Sequence, residues 1–139
     1  MIDDKAAKAL ESIAAKYGGR ITRRAPLAIC TTIGIGGLAE AWYEPASPEE
    51  LRDARKLLED HGVSSIVIGK GSNVLFPDEG LDVVVVSLSS VPFCEKHIDG
   101  CMLTAGGGAA LARCERLSRG IRRAGAGGRR ESGFRRAAL

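Results

Sequence analysis

Residues 39–73 read AEAWYEPASPEELRDARKLLEDHGVSSIVIGKGSN, and this stretch decides the fold class. Its centre, Ser47-Pro48-Glu49-Glu50, predicts the start of a helix. The serine can cap free amides of the first turn, and the proline stands where its missing N–H costs nothing. Glu50 can reach back to complete a capping box. We therefore predict a helix that runs from Ser47 to about Gly62.

Two apolar runs of strand length, Ala39–Glu44 and Ser65–Gly69, flank this helix. Strand, helix and strand in this order form a βαβ unit, which makes the two strands parallel neighbours joined by a right-handed crossover. Further along, the runs Phe93–Lys96 and Cys101–Ala105 predict a hairpin around Asp99-Gly100. The predicted fold class is α+β, a mixed α/β arrangement.

The two ends of the chain differ from this centre. Residues 1–24 are predicted to form a helix over Asp3–Tyr17 and then a basic linker. Arg113–Leu139 holds nine arginines and two glutamates, so this tail has a net charge of +7 in a chain of net charge +3. The body therefore carries a net charge of −4. Ala109–Leu117 has the pattern of a helix start, but from Arg119 onward large apolar residues are sparse, and we predict that residues 112–139 form a disordered tail.

Composition narrows the class of protein and of site. No apolar run approaches the roughly 18 residues that a membrane span needs, and no apolar signal core follows the N-terminus. We therefore predict a cytoplasmic protein without a membrane partner. The four cysteines form no C-x-x-C pair, and His61 and His97 are the only histidines. This spacing fits no zinc pattern, so we predict no metal site.

The loop Gly69-Lys70-Gly71-Ser72-Asn73 follows a predicted buried strand directly. Glycines let a backbone approach a ligand closely, and successive amides in such a turn form a nest for phosphate oxygens. Ser72 and Asn73 add side-chain donors, and Lys70 adds positive charge. A tight turn that serves geometry alone is the other interpretation. The spacing matches neither a Walker loop nor the G-x-G-x-x-G order of dinucleotide folds.

Three segments in the same order resemble the UDP-N-acetylenolpyruvoylglucosamine reductases. Along the chain they are the Thr-Thr to Leu-Ala segment 31–39, the loop region 66–76 and the Thr-Ala-Gly-Gly-Gly segment 104–108. The resemblance covers roughly Ala25 to Leu111. Three positions depart from the family's pattern: Leu38 replaces a usual proline, Gly34 a frequent arginine and Gly107 a usual alanine.

The resemblance implies that residues 25–111 are the first lobe of a PCMH-type FAD-binding domain. It also implies a family reaction in which NADPH reduces FAD, and the flavin reduces the enolpyruvyl group of a UDP-sugar to give UDP-N-acetylmuramate. The implied FAD-binding residues are Gly69, Lys70, Gly71, Ser72, Asn73, Val74, Gly106 and Gly107. The family's catalytic residues lie in later domains, so none is assigned here, and the UDP-sugar would be a substrate of the full-length family enzyme only.

The arginine-rich tail stands where the family continues with a helix and a further flavin-binding loop. We expect a frameshift near Leu111–Arg113, and resequencing the locus tests this. We also expect poor solubility and weak or no flavin binding from such a truncated lobe. Two other hypotheses remain open at this stage: a fragment of another FAD-dependent oxidoreductase of the same superfamily, or a non-catalytic module, whether a flavin binder or an arginine-rich interaction protein. We predict no specific nucleic-acid binding, because the tail has a single aromatic residue.

Overall fold

A computed structural model describes residues 3–124 and 133–136. A 3₁₀ turn, Val91–Cys94, precedes the fifth strand. The elements follow in the order α1 (Asp4–Tyr17), β1 (Arg20–Pro26), α2 (Leu27–Cys30), β2 (Leu38–Glu44), α3 (Pro48–Asp60), β3 (Ser65–Ile68), β4 (Leu81–Ser87), β5 (Lys96–Asp99), β6 (Met102–Ala105), α4 (Leu111–Ala124) and β7 (Gly133–Arg136).

The larger sheet has the strand order β1-β2-β4-β3. Strands β2 and β3 both run parallel to β4, and β1 is antiparallel to β2. The predicted parallel direction of β2 and β3 is confirmed, but the prediction that they are direct neighbours is wrong, because β4 lies between them. The three valines Val84, Val85 and Val86 are fully buried, which suits the centre of a sheet. β3 exposes Ser65 and Ile66 and lies at the edge.

The two faces of this sheet are covered differently. On the helix-covered face, α1 and α3 pack against alternate residues of β2 and β4, including Tyr43, Val84 and Val86. On the opposite, loop-covered face, Trp42 and Val85 pack against residues of α2 and of the loops that flank the strands. The alternation follows from the two-residue period of a strand. The mixed α+β class predicted from the sequence is confirmed.

Helix α3 begins as predicted, with the Ser47 hydroxyl accepting a hydrogen bond from the Glu50 amide at 3.1 Å. The predicted capping box is not completed. The Glu50 carboxylate instead accepts hydrogen bonds from the Ala46 amide at 2.7 Å and from the Tyr43 hydroxyl at 2.6 Å. Because Tyr43 lies beneath the helix, it draws the Glu50 carboxylate into the core, where the residue is fully buried.

The smaller sheet has the order β5-β6-β7. The predicted hairpin is present as the antiparallel pair β5 and β6, although its first strand starts at Lys96 because Phe93 lies in the 3₁₀ turn. β7 pairs in parallel with β6. Cys114 and Leu117 of α4 pack against β6.

Two segments that we predicted to lack regular structure contain it. The predicted basic linker forms the edge strand β1. In the predicted disordered tail, α4 extends to Ala124 and β7 covers Gly133–Arg136. Contacts with β2 and with β6 account for these elements, since pairing between distant segments overrides weak local patterns. The remaining tail positions, 125–132 and 137–139, lie outside the described residues.

Candidate functional site

A cleft of about 620 Å³ opens between the loop that follows β3 and the segment that joins β6 to α4. All eight site residues predicted from the sequence line this cleft. They are Gly69, Lys70, Gly71, Ser72, Asn73, Val74, Gly106 and Gly107. The cleft volume lies within the range of roughly 300–1,000 Å³ typical of small-molecule sites. The fold therefore brings two predicted segments, about thirty residues apart in sequence, to one site.

Gly71 sets the shape of the loop. Its φ is +65°, and a Cβ atom there would lie 2.9 Å from the carbonyl oxygen of Cys30. The Thr32 amide donates a hydrogen bond to the Gly71 carbonyl oxygen at 3.1 Å. The Thr-Thr segment therefore supports the loop from behind, and only glycine satisfies both the left-handed backbone and the close approach.

The opposite wall of the cleft comes within contact distance of this loop. A Cβ atom at Gly69 would lie 2.8 Å from the carbonyl oxygen of Gly107. The Leu88 amide donates to the Ile68 carbonyl oxygen at 2.9 Å, which holds the end of β3 against the end of β4. The cleft thus lies at the carboxyl ends of two parallel strands, a frequent position for ligand sites in such sheets.

Hydrogen-bond donors are concentrated at the loop. Within residues 3–124, the backbone amides of Lys70 to Asn73 have no protein acceptor, and the side chains of Lys70, Ser72 and Asn73 are exposed. The hydroxyl oxygen of Thr31, which packs behind Gly71, is buried and has no partner in this part of the chain. Such donors suit phosphate oxygens. The residues present therefore fit a ligand that carries a diphosphate.

Acid–base groups are few at the site. Among the described residues that line the cleft, Lys70 and Cys114 are the titratable ones. Behind the loop, burial raises the pKa of the Cys30 thiol, with the Glu44 carboxylate as a second cause. A raised pKa keeps this thiol protonated and poorly nucleophilic. Lys70 is therefore the charged side chain that the described lining of the cleft offers to a ligand.

Sequence reasoning missed one wall of the cleft, formed by the start of α4. Ala109, Ala110, Leu111, Ala112 and Cys114 line it. The small residues that follow Gly108 were the available signal, because short side chains let a backbone approach a ligand. The positive end of the α4 dipole lies at this wall and favours an anion.

The described residues contain no cluster of three or more histidine, cysteine, aspartate or glutamate side chains able to hold a metal ion. Nor does any helix in residues 3–124 have both the length and the apolar character that a membrane crossing requires.

Comparison with curated proteins shows relatives over most of the chain. The UDP-N-acetylenolpyruvoylglucosamine reductase of Bacillus licheniformis is 37% identical over 110 residues, which are 79% of this chain and 35% of the relative. This chain is a partial homologue of the UDP-N-acetylenolpyruvoylglucosamine reductases. The resemblance seen in the motifs is thereby confirmed.

Other reductases of the same name show a similar coverage. That of Bacillus subtilis is 32% identical over 76% of this chain and 35% of the relative. That of Rhizorhabdus wittichii is 40% identical over 66% of this chain and 30% of the relative. The chain therefore spans about a third of the length of the curated relatives that it matches.

The chain was also compared with family models and with solved structures. No family model matches the chain. A variant of BBE-like 1 from Physcomitrella patens has a TM-score of 0.43 and 16% sequence identity, over 65% of this chain and 21% of that structure.

Proposed function

We propose that this chain is an FAD-binding part of an NADPH-dependent reductase that forms UDP-N-acetylmuramate from UDP-N-acetylenolpyruvoylglucosamine in peptidoglycan synthesis. One observation carries the proposal: the eight residues implied by the family resemblance converge on one cleft. Homology to the reductases over 66–81% of the chain supports the same assignment.

Each part of the cleft has a role in the proposal. The free amides of the loop and the positive charge of Lys70 would hold the diphosphate of FAD, with Ser72 and Asn73 as further donors. Gly106 and Gly107 would present their backbone to the dinucleotide at the opposite wall, where they are packed against Phe93 and Leu88. The start of α4 would add its dipole. When bound, FAD supplies the two-electron chemistry of the family.

The complete reaction is proposed only for a full-length reductase. The cleft supplies a lysine and a buried thiol as its titratable groups, so we assign no catalytic residue to this chain. NADPH as hydride donor and the UDP-sugar as substrate would be bound with the help of residues elsewhere in such a protein. A cytoplasmic location goes with this role, since UDP-sugars and NADPH are cytoplasmic metabolites.

The test is a titration of FAD with the full chain, followed by flavin fluorescence and by equilibrium ultrafiltration. Because the cleft is formed within this chain, we expect weak, saturable binding rather than none. Ser72→Ala and Asn73→Ala should each raise the Kd between roughly tenfold and a hundredfold, because a hydrogen bond to a charged group contributes about 1.5–3 kcal/mol. Ser64→Ala is the matched control, since Ser64 is exposed and remote from the cleft.

Two results would contradict the proposal. One is the absence of binding by a chain whose circular dichroism shows that it is folded. The other is equal loss of affinity in the Ser64→Ala control and in the loop variants, which would mean that the loop does not hold the flavin.

A further inference from the structure

A second cavity, of about 510 Å³, lies on the other side of Gly106 and Gly107. We call it the α3 groove. Helix α3 forms one wall, and the 3₁₀ turn Val91–Cys94 forms the other. The two glycines belong to both cavities, but every other lining residue differs. The α3 groove is therefore separate from the cleft proposed for FAD.

The floor of the α3 groove is apolar. Leu51 and Phe93 form it, and each is only 4% exposed, so both side chains are anchored in the core. Pro48 and Pro92 extend the apolar surface at the ends of the groove. Prolines and buried side chains lose little conformational freedom on contact with a ligand, which favours binding at such a surface.

The rim of the α3 groove is positively charged. Arg52, Arg55 and Lys56 line it, and Glu59 is its one carboxylate. Glu59 forms an ion pair with Arg55, one turn earlier on the helix, with 3.3 Å between Arg55 Nη2 and Glu59 Oε1. Within the described residues, Arg52 and Lys56 make no ion pair, although the body of the protein is acidic. The rim thus concentrates two uncompensated cations beside an apolar floor.

A stripe of cations on an exposed helix face is by itself an ordinary solvated surface. Here the stripe borders a cavity of ligand size whose floor is apolar. We propose that the α3 groove binds an amphipathic organic anion, with a flat apolar body against Leu51 and Phe93 and a carboxylate at Arg52 and Lys56. Charge complementarity selects an anion over a neutral molecule of the same shape.

The probe for the test is naphthalene-2-carboxylate, and its neutral amide is the matched ligand. In an NMR titration of the full chain, we expect saturable shifts of the amides of Leu51, Arg55 and Phe93, which line the α3 groove but not the cleft proposed for FAD. The double variant Arg52→Gln/Lys56→Gln should raise the Kd about fivefold, because it removes two exposed charge contacts with the carboxylate of the probe. Lys5→Gln/Lys8→Gln on α1 is the charge-matched control and should leave the Kd unchanged.

Three results would overturn the proposal. These are no shifts in the folded chain, equal affinity for the neutral amide, or shifts confined to the loop Gly69–Val74. Because neither the probe nor the variants involve that loop, failure here leaves the FAD proposal standing, and failure of FAD binding leaves the α3 groove untouched.

Discussion

The two faces of the larger sheet differ in how completely their apolar side chains are covered. The helix-covered face is sealed, with Leu10 of α1 fully buried and Leu58 of α3 1% exposed. The loop-covered face buries Trp42 and Val85, yet the segments around it leave Ile29 82% and Leu75 66% exposed. The helix-covered face is therefore closed by two helices of the chain. The loop-covered face also buries an apolar cluster, but the loops that cover it keep large apolar side chains at their outer surface.

The largest difference between the two faces is expected from a pair of leucine truncations. Leu58→Ala should lower the free energy of unfolding by about 2–5 kcal/mol, because it leaves a cavity between α3 and the sheet. Leu75→Ala, on the other face, should change it by less than about 0.5 kcal/mol. Urea denaturation measures both. Similar losses in the two variants would mean that Leu75 is packed in solution as tightly as Leu58.

A smaller effect is expected at the buried hydrogen bond between the Tyr43 hydroxyl and Glu50. Tyr43→Phe should cost about 1.5–3 kcal/mol, because the buried carboxylate loses one of its two donors. Tyr17→Phe is the matched control. It removes a hydroxyl that donates to Asp53 at 2.7 Å in an exposed position, and it should cost less than about 1 kcal/mol.

The same pair gives a pH signature. Burial, together with the hydrogen bond and the charge of Glu50, raises the pKa of Tyr43 above its ordinary value. The folded chain therefore keeps this proton after the unfolded chain has lost it. Stability should fall as the pH rises above about 10, the ordinary tyrosine pKa, and Tyr43→Phe should reduce that fall. If the fall in stability above pH 10 is unchanged in Tyr43→Phe, a group other than Tyr43 causes it.

The smallest effect on stability is expected at Ile29 of α2, an exposed apolar residue of the loop-covered face. Ile29→Ser should change the melting temperature by no more than a few degrees, because the side chain is exposed. The concentration at which the protein aggregates should rise, since the exposed apolar surface shrinks. Light scattering during concentration measures this. A large loss of stability would show that Ile29 is packed in solution.

Local sequence signals were sufficient to predict the elements that begin with a strong cap or contain a tight turn. Ser47 predicted the start of α3, and Asp99-Gly100 predicted the β5–β6 hairpin. The order of the strands was not available in the same way. The strand order depends on which strand is the most apolar on both faces. Strand β4 therefore lies between β2 and β3, although it follows β3 in the chain.

The grouping of the predicted site residues in one cleft depended less on distant contacts than the strand order did. A glycine-rich loop after a strand can be recognised from local sequence, and the resemblance named its partner segment at Gly106-Gly107. The wall formed by the start of α4 and the two alanines before it was missed, since Ala109 and Ala110 carry no chemistry of their own. The role of Glu50 was also missed, because its partner Tyr43 is reached through the fold and not through the capping pattern.

The flavin site is tested most directly by amide chemical-shift mapping of the full chain on addition of FAD. We expect saturable shifts at Gly69–Val74 and Gly106–Gly107, and at the start of α4, with α1 and α3 unchanged. Shifts centred on the helix-covered face, or no shifts in a demonstrably folded chain, would contradict the assignment of the cleft as the flavin site.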